Sequence, residues 1–184
     1  EVYGTYGALK SHHKCMTYAN FYKDLYKWFL ILEDDAILNL HKYKLNEIID
    51  QLKIVDSVYL DETPVVMLDS HINGPKPSYH NLYKDVRITN GCCNAAHAYI
   101  VRNDYANVLK LAWDKTIPLF YKQLIDKKNN IKLDKPIWWY GPDCHPFVDL
   151  QKKDKWFLLD SLIVQNNSKG FESIVVKLDK SFYL

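Results

Sequence analysis

Several features are missing from this sequence of 184 residues, and each absence excludes a class of protein. No stretch approaches the roughly 20 consecutive apolar residues of a membrane-spanning helix, so we expect no membrane span. No basic cluster exceeds two adjacent lysines, which argues against nucleic-acid binding through a charged surface. None of the four cysteines belongs to a Cys-x-x-Cys pair, so neither a zinc ribbon nor a thioredoxin-type motif is expected.

The expected location of the protein is cytoplasmic. The first residues, EVYGTYGALK, do not have the pattern of a secretory signal peptide. The cysteines, which include the adjacent pair Cys92 and Cys93, are therefore expected to be reduced thiols inside a cell.

The composition is that of an ordinary globular domain. Apolar residues make up 48% of the chain, charged residues make up 25%, and the formal net charge is +2. This length is enough for one domain, residues 1–184, with a sizeable core. The small net charge indicates no particular polyanionic partner.

The first half of the chain combines helical and strand patterns. Residues 7–22 have a helical period that places His12 on the apolar face. Residues 28–32, WFLIL, form an apolar run typical of a strand covered on both faces. A helix is predicted over 41–55 and a short strand over 64–69. The Gly- and Pro-rich stretch 70–82 is predicted to be a lid or a binding loop.

The second half of the chain also combines predicted strands with predicted helices. Strands are predicted in VRIT and AHAYIV, on either side of the turn-like NGCCN. Asn103 is a candidate N-cap for the next helix, and Pro118 is expected to start or kink a second helical stretch. The C-terminal third, which begins with PIWWYGPDCHPF, is predicted to contain short strands and loops. The expected fold class is α/β, with a mixed, mostly parallel sheet flanked by helices.

Three acids follow the first predicted strand. Glu33, Asp34 and Asp35 come directly after WFLIL, where the ligand crevice of an open α/β sheet lies. If the strand geometry persists, Glu33 and Asp35 point one way and Asp34 points the other. Such carboxylates can hold Mg²⁺ or Mn²⁺ or the hydroxyls of a sugar. The alternative is an acidic turn that only caps the next segment.

The sequence resembles glycosyltransferase family 25, which includes lipooligosaccharide and collagen galactosyltransferases and viral relatives. The family has a Gly, three further residues and then Ser-His on a helix, followed by an apolar strand that ends in Glu-Asp-Asp. The matching residues here are Gly7, Ser11, His12, Glu33, Asp34 and Asp35. Weaker matches follow in the same order, at Tyr99, Ala106, Asp143, Gln165, Ser168 and Ser173. The resemblance covers the chain from about Gly7 to Ile174.

This resemblance implies a GT-A-like, Rossmann-related fold and a hexosyltransferase. The enzyme would transfer a hexose from a nucleotide-diphosphate sugar, with a UDP-sugar as the expected donor, to a glycan or glycoprotein acceptor. Transfer would depend on Mn²⁺ or Mg²⁺ and would invert the anomeric configuration. Asp35 would be the main metal ligand and Glu33 would assist it, whereas Asp34 would lie nearer the ribose or the sugar of the donor.

The resemblance and the residue types suggest further roles. Ser11 and His12 would contact the donor, although a buried His12 that orients the acidic strand is an alternative. Asp143 is the candidate general base for the acceptor hydroxyl, and a residue in a turn after Pro142 is the alternative. His145 is a candidate metal ligand or an ordinary loop residue.

The chain departs from the family in two places. Family members begin with a strand that contacts the nucleotide base, and this chain starts almost at the Gly-Ser-His helix, so we expect that strand to be missing. His97 stands where the family has a small residue in the Tyr-containing strand.

Two other functions compete with the transferase. An inactive glycosyltransferase-like module would bind a carbohydrate or a partner protein without catalysis. A two-metal nucleotidyl transferase or nuclease would need a second acidic cluster, which the sequence does not show. The oligomeric state is not predicted.

Overall fold

The structure is a computed structural model that describes residues 2–54, 62–69, 71–72, 76–80, 86–91, 93–94, 96–159 and 162–165. Its helices are α1 (Val2–Phe21), α2 (Leu45–Ile54), α3 (Ala106–Lys128), a 3₁₀ helix (Ile137–Tyr140) and α4 (His145–Gln151). Its strands are β1 (Trp28–Leu32), β2 (Ala36–Leu38), β3 (Val65–Met67), β4 (His71–Ile72), β5 (Ser78–Tyr79), β6 (Val86–Ile88), β7 (Cys93–Asn94), β8 (Ala98–Arg102), β9 (Phe157–Leu159) and β10 (Ile163–Gln165).

The main sheet has six strands in the order β1-β8-β3-β9-β6-β5. Among the described strands of this sheet, β3 and β9 are parallel and the other neighbouring pairs are antiparallel. The α/β class is confirmed, but the expectation of a mostly parallel sheet is wrong. An apolar run such as WFLIL shows that a strand is buried, whereas strand direction depends on connections that the run does not encode.

Three helices cover one face of the main sheet. Residues Ile31, Tyr99, Met67 and Leu158 lie side by side in register across four strands and point to this face. Helix α1 packs there through Leu9, His12, Met16 and Ala19, which repeat with the helical period. Helix α3 adds Leu109, Trp113 and Phe120, and helix α4 adds Phe147. Burial of these large apolar side chains is the main force that holds the helices on the sheet.

The other face has a smaller core. Residues Leu30, Ile100, Val66 and Phe157 form the adjacent row in register and point away from α1. Leu162 and Ile163 cover them, and Ile163 begins strand β10, which pairs antiparallel with β2. The short ribbon β2–β10 therefore lies over this face and starts one residue after the three acids.

Several predicted elements are confirmed. Strand β1 has the predicted bounds. Helix α1 covers the helix predicted over 7–22 except for its last residue, and His12 lies on its buried face. Helix α2 is shorter than predicted, since it begins at Leu45, where the carboxylate of Glu47 accepts the N–H of Lys44 at 2.8 Å. The predicted loop 70–82 includes β4 and β5, and its residues 70, 73–75, 81 and 82 lie outside the described part of the chain.

The predictions around helix α3 need correction. The helix begins at Ala106, and its N-cap is Tyr105, not Asn103. The side chain of Asn103 donates to the carbonyl of Lys23 at 2.7 Å, so it ties the chain after β8 to the end of α1. Pro118 lies inside one continuous helix and does not start a second one. Packing of the apolar residues on both sides of Pro118 outweighs the hydrogen bond that proline cannot make.

The stretch PIWWYGPDCHPF is also different from its prediction. It contains the 3₁₀ helix and the start of α4, where Pro146 lies in the first turn. A proline is tolerated there because the N–H it lacks has no partner within the helix.

Among the described residues, no helix is long and apolar enough to cross a membrane.

Replacing Pro118 with Ala should stabilise the protein. Pro118 is exposed inside α3, and a proline costs a helix about 3 kcal/mol relative to alanine. The greater freedom of the unfolded chain offsets about 1 kcal/mol of that gain. Urea unfolding should therefore show a free energy of unfolding about 1–2 kcal/mol higher. Pro136→Ala, which changes an exposed proline outside a helix, is the control, and a less stable Pro118→Ala would contradict the argument.

Candidate functional site

The three acids lie in a turn at one edge of the main sheet. Strand β1 ends at Leu32, and the N–H of Ala36 donates to the carbonyl of Glu33 at 3.1 Å. The strand alternation expected for the acids is therefore wrong beyond Glu33, because the chain bends to enter β2. Asp34 is exposed and Asp35 is half-buried. The acids thus lie in a turn, which is the geometry that the alternative interpretation of the sequence expected.

His12 connects helix α1 to this turn. Its ring is 3% exposed, and its Nε2 lies 3.0 Å from Oε1 of Glu33. Its Nδ1 lies 3.0 Å from the hydroxyl of Tyr99. A carboxylate can only accept a hydrogen bond, so Nε2 carries a proton in this arrangement. The position of His12 is that of the buried residue that orients the acids, one of its two expected roles.

Tyr99 provides the other end of this hydrogen-bonded chain. Its side chain is fully buried on strand β8, and burial raises the pKa of its hydroxyl well above the ordinary value. The hydroxyl therefore stays protonated and can donate to Nδ1 of His12. The rings of Tyr99 and Trp113 lie on His12, each with a centroid 5.8 Å from the imidazole.

Ser11 does not lie with His12. It is exposed and lines a shallow groove on the outer surface of α1 together with Lys10, His13, Lys14 and Thr17. Successive residues of a helix point about 100° apart, which separates the side chains of Ser11 and His12. The structure thus joins His12 to Glu33 and leaves Ser11 on a different surface.

Two residues that the sequence analysis did not select lie at the same edge. Asp69 follows β3, and its Oδ2 lies 2.9 Å from Nε2 of His97, which precedes β8. The carbonyl of His97 in turn accepts the N–H of Glu33 at 2.8 Å. The sequence did carry a signal for Asp69, since the strand predicted over 64–69 ends in this acid, much as Glu33 comes at the end of WFLIL.

The segment that contains Asp143 is anchored to the face of the sheet that α1 and α3 cover. The indole N–H of Trp113 donates to the carbonyl of Pro142 at 3.0 Å, next to Asp143, which is half-buried. The thiol of Cys144 donates to Oδ1 of Asp143 at 3.6 Å. Burial, followed by the charge of Asp143, raises the pKa of Cys144 to about 12, so this thiol is neutral and unsuited to act as a nucleophile.

His145 lies in a separate group of contacts at the start of α4. Its Nε2 is 3.6 Å from Oδ2 of Asp149, and its ring lies 5.9 Å from the ring of Tyr140. The half-buried ring of Trp139 is 6.4 Å away, and Lys135 lies over that indole. Trp139 and Tyr140 thus place two aromatic rings beside His145.

The side chains expected to bind Mn²⁺ or Mg²⁺ are those of Glu33, Asp35 and His145. Within the described ranges, no three His, Cys, Asp or Glu side chains are placed to share one metal ion, so Glu33, Asp35 and His145 do not form a ready ligand group. A magnesium-like ion, however, needs only one or two protein carboxylates when substrate phosphates and water complete its shell. The turn supplies hard carboxylate oxygens of this kind, and the role of His145 stays a prediction.

The last segment of the resemblance also reaches the turn. Gln165 of β10 pairs in register with Ala36 of β2, the residue after Asp35. Ser168 and Ser173 lie outside the described residues.

No protein family matches the chain, and no curated protein is significantly similar to it.

The raised pKa of the buried Cys144 thiol predicts that the protein loses stability at alkaline pH. The unfolded chain releases the Cys144 proton near the ordinary pKa of 9.0, whereas the folded protein holds it up to about 12. Between these values the unfolded state binds fewer protons, so the free energy of unfolding falls as the pH rises. Cys144→Ala should remove this part of the decline, measured by urea unfolding from pH 8 to pH 11.

The matched variant is Cys15→Ala. Burial also raises the pKa of Cys15, but by less, so this variant should change the alkaline decline less than Cys144→Ala does. An equal decline in the wild type and in Cys144→Ala would show that the Cys144 thiol ionises normally in the folded protein.

Proposed function

We propose that the protein is a glycosyltransferase that transfers a hexose from a nucleotide-diphosphate sugar to a glycan or glycoprotein acceptor. The observation that carries the proposal is the 3.0 Å contact between His12 and Glu33. It joins the two strongest parts of the family 25 resemblance, the Gly7-Ser11-His12 helix and the Glu33–Asp35 acids, which are 21 positions apart. Two motifs that resemble those of one family and also meet in space are better support than either motif alone.

The position of the acids suits a donor with a diphosphate. Strands β1, β3 and β9 all end at this edge of the sheet, where ligands of open α/β sheets bind. His12 holds Glu33 by its side chain, so the turn does not depend on a ligand for its position. Asp34 and Asp35 lie in the same turn, one exposed and one half-buried. A bound Mn²⁺ or Mg²⁺ would stabilise the negative charge that develops on the diphosphate leaving group.

The acceptor would lie toward the segment before α4. Asp143 is the proposed general base, and its half-buried carboxylate would take the proton from the attacking hydroxyl. The hydrogen bond from Trp113 to Pro142 fixes this segment on the α1 side of the sheet, the side that Glu33 and His12 share. Trp139 offers a half-buried aromatic face of the kind that packs on sugar rings.

Calorimetric titration with UDP and a panel of nucleotide sugars tests the proposal. The wild type should bind a nucleotide sugar in the presence of Mn²⁺ and lose that binding in EDTA. Asp35→Asn should weaken metal-dependent binding at least about 10-fold, because even residues that only support a metal ligand contribute 10- to 100-fold. Thermal unfolding should change little, because Asn has nearly the same size and shape as Asp and therefore leaves the packing of the turn unaltered.

The control variant is Asp50→Asn, which removes an equal charge from the exposed surface of α2. It should bind the donor as the wild type does. Binding that is unaffected by Asp35→Asn would contradict the metal assignment. Binding of free sugars but of no nucleotide sugar would instead favour the inactive carbohydrate-binding module.

A further inference from the structure

A second histidine–carboxylate pair lies beside the first at the edge of the main sheet. His97 is 2% exposed, and its Nε2 lies 2.9 Å from Oδ2 of Asp69. The side chain of Asp69 is only 17% exposed. A carboxylate removed from water to this extent is costly unless a positive or donating group meets it, and His97 meets it here.

The register of the sheet places this pair next to Glu33. Leu32 pairs with Ala98, and the N–H of Leu68 donates to the carbonyl of Ala98 at 3.0 Å. The next row along the three strands is therefore Glu33, His97 and Asp69. The α1 face receives the side chains two positions away in each strand, namely Ile31, Tyr99 and Met67. By the alternation of strands, the row of Glu33, His97 and Asp69 points to that same face.

Glu33 is thus held in two independent ways. His12 of α1 binds its side chain at 3.0 Å, and the carbonyl of His97 accepts its backbone N–H at 2.8 Å. The first contact orients the carboxylate of Glu33. The second fixes the point at which the chain leaves β1 and bends into the acid turn. Asp69 supports this second contact indirectly. Its carboxylate holds the ring of His97, and the carbonyl of the same residue accepts the N–H of Glu33.

We propose that Asp69 and His97 are positioning residues for the donor site. Asp69 holds His97, and His97 holds the backbone of Glu33, so that the carboxylates of the turn keep their places when a nucleotide diphosphate binds. The inference rests on the proposed function, and it adds two residues that lie outside both motifs of the resemblance.

The test combines hydrogen exchange with a titration of UDP in the presence of Mn²⁺. Asp69→Ala should accelerate exchange of the Glu33 amide and weaken UDP binding by about 10- to 100-fold, the usual effect of losing a partner that supports a ligand. Asp69→Asn keeps an oxygen that can accept from Nε2–H of His97. It should therefore recover much of the protection and of the affinity, and it serves as the test if the alanine variant does not fold.

The control is Glu62→Ala, which removes the carboxylate partner of another buried histidine. Oε2 of Glu62 lies 3.2 Å from Nε2 of His80, and Glu62 precedes β3, whereas Asp69 follows it. A merely structural role predicts that Glu62→Ala and Asp69→Ala lower stability without a selective effect on the turn. The positioning role predicts that Asp69→Ala alone affects the Glu33 amide and UDP.

The outcomes separate the two proposals. Unchanged exchange of the Glu33 amide in Asp69→Ala, or UDP binding equal to that of the wild type, would overturn the positioning role and leave the proposed function intact. A wild type that binds neither UDP nor any nucleotide sugar with Mn²⁺ would overturn the proposed function, and the positioning role with it.

Discussion

The site depends on one buried imidazole. His12 lies between the hydroxyl of Tyr99 and the carboxylate of Glu33, 3.0 Å from each. A buried polar group that loses its partner costs about 1–3 kcal/mol, so helix α1, strand β8 and the acid turn are constrained to move together. Trp113 extends the constraint to Pro142, because its ring packs on His12 and its N–H donates to that carbonyl.

Local sequence patterns predicted the helices and strands whose apolar residues follow one regular spacing. The bounds of β1 follow from the apolar run WFLIL, and the buried face of α1 follows from the spacing of His12, Met16 and Ala19. Strand direction and the course of α3 through Pro118 were not predictable in this way. Both depend on contacts between distant parts of the chain, which outweigh the local preference of a residue such as proline.

In the candidate site, too, local patterns predicted some residues and not their distant partners. Glu33 was predictable because an acid after a buried strand stands at the sheet edge, and the same reasoning applies to Asp69. The partners of these acids were not predictable, since His12 and His97 are 21 and 28 positions away from them. Ser11 is next to His12 in sequence, yet it faces a different surface because the helix turns between them. Proximity in sequence and proximity in space are thus poorly related at this site.

We propose that the turn from Glu33 to Ala36 binds a metal ion together with a nucleotide diphosphate. The most direct test is the paramagnetic broadening of backbone amide signals by Mn²⁺ in the presence of UDP, followed by NMR on the ¹⁵N-labelled protein. We expect the amides of residues 33–36 to broaden first, followed by those of residues near them at the sheet edge. Broadening that centres elsewhere, or that does not depend on UDP, would contradict it.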